Sequence, residues 1–116
     1  MIFDAFSVVV VPFPFSEKGV TKNRPAVILT RQSDFGAATQ VATIAMITTA
    51  ASSHWPFDVP IGDLTSAGLK HRCVIRMKFA SMTYDRFSKQ LGTLGDDDRA
   101  ALIVASAGLF GISISP

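Results

Sequence analysis

One cysteine, two histidines and no long apolar run bound what this 116-residue chain can be. With Cys73 alone, no disulfide can close within the chain, and a reducing cytosol is the simplest setting. His54 and His71 are well separated and, with one cysteine, make no zinc set, so neither a metal nor a cofactor is expected. No glycine-rich phosphate loop, paired-carboxylate site or nucleophile–His–Asp pattern stands out. The N-terminus lacks a basic region followed by an uninterrupted apolar stretch, and no signal peptide is expected. The uncharged tail from Ala100 to Pro116 is interrupted by Ser106, Gly108, Gly111 and Ser113, and is shorter than the roughly 20 apolar residues that span a bilayer. No membrane partner is expected. Repeats, linkers and low-complexity blocks are also missing, so residues 1–116 read as one domain.

What is present points to a packed globule. Apolar residues make up 48% of the chain and nine are phenylalanine, far from the composition of a disordered segment. The net charge of +2 is too small to mark a nucleic-acid binder, but its distribution is uneven. Lys70, Arg72, Arg76, Lys78, Arg86 and Lys89 fall in one stretch opposed by Asp85, while Asp96, Asp97 and Asp98 cluster later. Such a basic stripe can follow a polyanion; an ordinary solvated face fits it equally well.

The run Ser7-Val-Val-Val-Val-Pro-Phe-Pro-Phe reads as a strand, because four valines stiff at χ1 suit a pleated, buried surface. Pro12 and Pro14 place its end at an edge or exit, since proline cannot donate to a ladder. Pro25 to Thr30 reads as a central strand, Val41 to Ile47 as a third that ends at Thr48-Thr49, and Phe57 to Ile61 as a short one. Gly62 to Gly68 is a turn region. Cys73 to Phe79 alternates Val74, Arg76 and Lys78 against Cys73, Ile75, Met77 and Phe79, which predicts one basic and one apolar face. Thr83 to Leu91 fits helix or strand. Asp96 to Phe110 predicts a helix: an aspartate caps its start, the carboxylates favour the positive end of the dipole, and Gly111 marks the stop. Its expected apolar face is Ala101, Leu102, Ala105 and Leu109. Strands followed by one helix predict a curved antiparallel sheet or partial barrel.

Arg24 sits where a polar loop carrying Lys18 and Lys22 re-enters the sheet, with Pro25 fixing the backbone behind it. A cation held at such a junction can grip a phosphate; a hairpin with a solvated arginine is the plainer alternative. Val8 to Phe15 and Arg24 to Leu29 resemble the opening of MazF/PemK-type toxins, metal-independent endoribonucleases of bacterial toxin–antitoxin pairs. Further matches at Ile47-Thr48-Thr49, Phe57-Asp58-Val59, Gly68-Leu69-Lys70 and Leu91-Gly92-Thr93-Leu94 fall in family order and cover nearly the whole chain. The chain departs from the family pattern at Phe6-Ser7, where Gly-Asp is usual. It departs also at Asn23 for a basic residue, Met46 for a proline and Cys73 for a serine.

The resemblance implies a mainly β fold with a C-terminal helix, the SH3-like partial barrel of the MazF/CcdB/PemK type, working as a homodimer in the cytoplasm. It implies a sequence-selective nuclease for single-stranded RNA, leaving 2′,3′-cyclic phosphate (or 3′-phosphate) and 5′-hydroxyl ends, and neutralised by a cognate antitoxin protein. It places the chemistry on Arg24, which forks onto a phosphate, and Thr48, which donates one hydroxyl. Expected RNA contacts are Lys18, Lys22, Thr49, Trp55, Arg76 and Lys78, with Trp55 able to stack on an unpaired base or to be buried as a loop anchor. The competing expectations are a CcdB-like gyrase inhibitor and a catalytically silent nucleic-acid-binding barrel; a binding module has no need of the Arg24–Thr48 pair.

Overall fold

The computed structural model describes residues 3–13, 22–49 and 54–113. Among them six strands, all paired antiparallel, form one sheet in the order β4-β5-β3-β2-β1-β6. These are β1 (Ser7–Phe13), β2 (Lys22–Ile28), β3 (Val41–Thr49), β4 (Val59–Pro60), β5 (Cys73–Thr83) and β6 (Lys89–Thr93). Between β2 and β3 the chain makes a π-helical turn at Gln32–Gly36 and the short α1 (Ala37–Thr39). One helical turn, α2 (Leu64–Ala67), and the 14-residue α3 (Asp96–Leu109) complete the fold. It is the half-barrel with a C-terminal helix that the pattern predicts.

The continuous apolar runs are explained by burial on both faces of the sheet. Val8, Val27, Ala45, Ile47, Ile75 and Met77 face one core, which Leu102 of α3 and Leu94, just before that helix, close. Val9, Val11, Phe13, Ala26, Ile28 and Ile44 face a second core capped by Phe3 and Phe87. The central place expected for the second strand holds: β2 lies between β1 and β3, and Ala26, Val27 and Ile28 are fully buried.

Several boundaries moved, each for a local reason. The second strand starts at Lys22 and stops at Ile28, because its ladder with β1 runs on to Phe13↔Lys22. Pro12 sits inside β1 opposite Asn23, but β6 pairs only with Ser7–Val10, so no N–H is missed on that side. The third strand runs through Thr48 and Thr49, and the fifth extends to Thr83, past a bulge between Ala45 and Met46 of the facing strand. The ambiguous stretch resolves into a 3₁₀ turn at Tyr84–Arg86 followed by β6. The Gly62–Gly68 turn contains α2, capped by Asp63, whose carboxylate accepts from Ser66 N–H, and ended by Gly68 at φ 73. That end docks tightly on β6: a Cβ on Gly68 would stand 2.0 Å from the Leu91 carbonyl oxygen, and one on Gly92 would stand 2.3 Å from that of Ser66.

In α3 the expected aspartate cap is absent. Gly95 takes the N-cap place without a side-chain bond, and Asp98 turns back to accept from the N–H groups of Gly62 (2.8 Å) and Asp63 (2.9 Å). The expected apolar face is also narrower. Leu102 is buried and Ala105 packs beside it, whereas Ala101 and Leu109 are exposed together with Ile103, Val104 and Phe110. The stop at Gly111 is as predicted: Gly111 N–H bonds to Gly108 O and Ile112 N–H to Ala107 O, a Schellman ending with Gly111 at φ 69. Phe6 stands where the resembled family carries glycine, and its φ of 70 is the left-handed conformation that glycine adopts without cost. Its N–H donates to Ile28 O and its carbonyl accepts from Leu94 N–H, which hold the turn despite the side chain.

Candidate functional site

The β2–β3 ladder pairs Ile28↔Ile44, Val27↔Ala45 and Ala26↔Met46, and stops at Pro25, which has no N–H to give. Carried two residues further, the same register sets Arg24 opposite Thr48, where the two strands are no longer paired. Directly opposed residues share a face, so Arg24 and Thr48 project from the same side of the sheet. Lys22, two residues before Arg24, projects there as well and is exposed. Arg24 and Thr48 are both half-buried at the rim of the second core, with Val11 and Val74 as register partners. A guanidinium offers a planar fork of donors to a phosphate, and a hydroxyl adds one more.

On the same face, β5 contributes Val74, Arg76 and Lys78, as the alternation predicts. Arg76 departs from a solvated basic face. It is 6% exposed, and its Nε and Nη2 donate to the two carboxylate oxygens of Asp58 at 3.2 and 2.9 Å. Asp58 therefore neutralises most of the charge that Arg76 would present to a polyanion. Trp55 is exposed rather than a buried loop anchor, with the Arg76 guanidinium 5.9 Å and Lys78 Nζ 4.7 Å from its ring centre, both at cation–π range. Asp58 is the residue that reasoning from residue types missed. Its place in the Phe57-Asp58-Val59 match was visible, but its partner lies 18 residues away on β5.

Other candidates fall elsewhere. Thr49 pairs with Cys73, so alternation turns it to the opposite face from Thr48 and the structure does not bring the two hydroxyls together. Cys73 is buried as expected; burial pushes its thiol pKa up, and its Sγ–H donates to His71 O at 3.1 Å. His54 and His71 are exposed. Lys18 lies outside the described residues. Among the described residues no three His, Cys, Asp or Glu side chains gather as a metal-ligand set. No helix there is long and apolar enough to cross a membrane.

Comparison with solved structures gives the same fold at low identity. The Mycobacterium tuberculosis toxin MazF-mt6 matches with a TM-score of 0.71 at 22% identity, covering 93% of this chain and 99% of its own. A MazE–MazF structure from Deinococcus radiodurans matches at 0.74 and 22%, covering 97% and 100%. An endoribonuclease in complex with its cognate antitoxin from a mycobacterial species matches at 0.73 and 14%, covering 97% and 98%. No curated protein matches significantly by sequence. The family model for the PemK-like, MazF-like toxin of type II toxin–antitoxin systems matches residues 4–105, and with the half-barrel, the helix and the ordered motifs in place, the chain belongs to that family.

Proposed function

We propose that this protein is an endoribonuclease that cuts unpaired RNA at preferred sequences without a metal ion. In the cytosol it acts as the growth-inhibiting toxin of its pair. The observation that carries the reading is the shared face of Arg24 and Thr48 at the open end of the β2–β3 ladder, with Lys22 beside them. In the cut, the ribose 2′-oxygen bonds to phosphorus and the P–O5′ bond breaks. One proton leaves the 2′-hydroxyl and one is gained by the 5′-oxygen, leaving 2′,3′-cyclic phosphate and 5′-hydroxyl ends; a 3′-phosphate results where water then adds to the cyclic phosphate and the P–O2′ bond breaks. Arg24 stabilises the charge that grows on the phosphorus-bound oxygens; an arginine pKa above about 12 suits that electrostatic task better than carrying the proton. Thr48 adds a hydroxyl donor to the same oxygens.

The test is cleavage of an unstructured RNA in EDTA, with the ends identified by mass spectrometry. Arg24→Ala is expected to lower the rate by roughly two orders of magnitude or more, as for loss of one strong transition-state donor. Thr48→Ala is expected to impair it less. Abolition by EDTA with recovery on magnesium, or near-wild-type turnover by folded Arg24→Ala, refutes the mechanism.

The partners follow from the same reading. We infer a cognate antitoxin whose acidic tail competes with RNA for the Lys22–Arg24 face. We also infer a homodimer, supported by the apolar side chains that α3 leaves exposed, Ile103, Val104 and Phe110. Sedimentation equilibrium of the wild type and of Val104→Asp tests the second point.

A further inference from the structure

Trp55, the chain's one tryptophan, is 40% exposed, though a ring of that size gains most by burial. The segment that carries it is pinned rather than loose. Asp58 N–H closes a turn onto Trp55 O at 3.2 Å, with Pro56 and a positive-φ Phe57 (65°) in its central places, the arrangement of a type II turn. A non-glycine residue holds that conformation only where its surroundings over-determine it. Two contacts do so here. Phe57 packs on α3, so closely that a Cβ on Gly108 would stand 3.0 Å from its ring, and the Asp58 carboxylate holds Arg76 of β5 through two hydrogen bonds. The result is an indole presented to solvent beside Lys78, on the face that also carries Lys22, Arg24 and Thr48.

An exposed aromatic ring beside a cation is the arrangement on which an unpaired nucleobase stacks while its phosphate meets the charge. Arg76 is too buried and too well paired with Asp58 to serve as that cation; Lys78 is half-buried and 4.7 Å from the ring centre. We propose that Asp58 is a positioning residue: by holding Arg76 it fixes the Trp55–Asp58 turn, so that Trp55 stacks on an unpaired nucleobase flanking the cut and Lys78 meets that nucleotide's phosphate. The platform thereby contributes to which RNA sequences are cut. This deepens the nuclease reading above and rests on it.

Because Trp55 is the sole tryptophan, its fluorescence reports this contact independently of cleavage. The probe is a short single-stranded RNA made uncleavable by 2′-O-methylation, and a series in which one nucleotide at a time is abasic. The expected result is quenching of Trp55 by the intact probe. One abasic position flanking the cut should remove the quench and weaken binding roughly tenfold, the scale of losing one stacked base. With cleavable RNA, Trp55→Ala and Asp58→Ala should each raise KM with kcat kept, and the double variant should be no worse than either alone. Asp58→Asn, which keeps an acceptor oxygen for Arg76, should fall between. If Asp58→Ala fails to fold, the wild-type quench, the abasic series and Trp55→Ala decide the platform, and Asp58→Asn decides the role of Asp58. Cleavage without quenching or abasic sensitivity overturns the platform and leaves the nuclease reading standing. Quenching without cleavage under any condition does the reverse. Additive effects of the two variants overturn the role given to Asp58.

Discussion

Replacing Asp98 by alanine tests how α3 is fastened to the sheet. The Asp98 carboxylate is 6% exposed and accepts two backbone N–H bonds, from Gly62 at 2.8 Å and Asp63 at 2.9 Å, across more than 30 residues of chain. Hydrogen bonds to a charged group contribute about 1.5–3 kcal/mol each. Gly62 and Asp63 are themselves at the surface, so water recovers part of what the two N–H groups lose, and the lower figure applies. Two bonds then give a loss of about 3 kcal/mol. Near the size of this chain, 1 kcal/mol moves Tm by about 4 °C, so the variant should melt roughly 12 °C below the wild type. Asp96 and Asp97 remain in the first turn, and the helix dipole keeps its favourable charge. Asp98→Asn keeps one acceptor oxygen but sets an amide N–H₂ against the other donor, so it should recover no more than half. Thermal melting by circular dichroism gives the magnitude, and amide exchange at Gly62 and Asp63 localises it. An alanine variant that melts within about 4 °C of the wild type, with those amides still protected, refutes the reasoning.

Gly68→Ala should destabilise by more than the ~1–2 kcal/mol of a left-handed non-glycine residue, because its Cβ would meet the Leu91 carbonyl oxygen and force α2 off β6; urea unfolding measures it. Cys73 has its thiol pKa raised by burial, so the folded state holds the proton longer than the unfolded state does. Its contribution to stability is complete below the unfolded thiol pKa and is lost as pH rises through the folded one, and a thiol reagent at neutral pH should label it only as the protein unfolds. Lys78→Ala should raise KM and reduce the salt slope of RNA binding by about 1 with kcat kept, whereas a large fall in kcat at unchanged affinity would place Lys78 in the reaction itself. A cognate antitoxin tail should inhibit competitively with RNA and protect residues 16–24 and 48–55 from hydrogen exchange; protection confined to α3, with RNA still bound normally, refutes that account.

Much of the fold was written in local pattern. Val8–Val11 and Pro25–Thr30 read as buried strands because a sheet covered on both faces demands unbroken apolar runs; Val8, Val9 and Val11 of the first and Ala26, Val27 and Ile28 of the second are buried. The helix from Asp96 and its stop at Gly111 were equally legible, since a carboxylate-rich first turn and a left-handed glycine are properties of a few adjacent residues. The neighbours of Arg24, the loop before it and the proline after it, suit a phosphate grip and a solvated hairpin arginine alike, and it is the family resemblance of the segment that singles it out.

What alternation alone leaves undecided is which face is which and who stands opposite. Thr48 and Thr49 are equivalent as β-formers, and only the register with β2 and β5 turns the first toward Arg24 and the second toward Cys73. Arg76 reads as one more surface cation in a basic strand until Asp58, from a turn 18 residues earlier, removes it from solvent. Asp98 reads as one of three carboxylates in a first helical turn until the chain brings Gly62 and Asp63 within its reach, and Leu109 reads as core, yet in the folded chain it is exposed. Propensity and periodicity act over a few residues, and they determined the elements; the arginine was singled out by the resemblance of its segment to a known family. Pairing between distant groups depends on register, bulge and docking angle, and these exist only once the sheet has closed around its two cores.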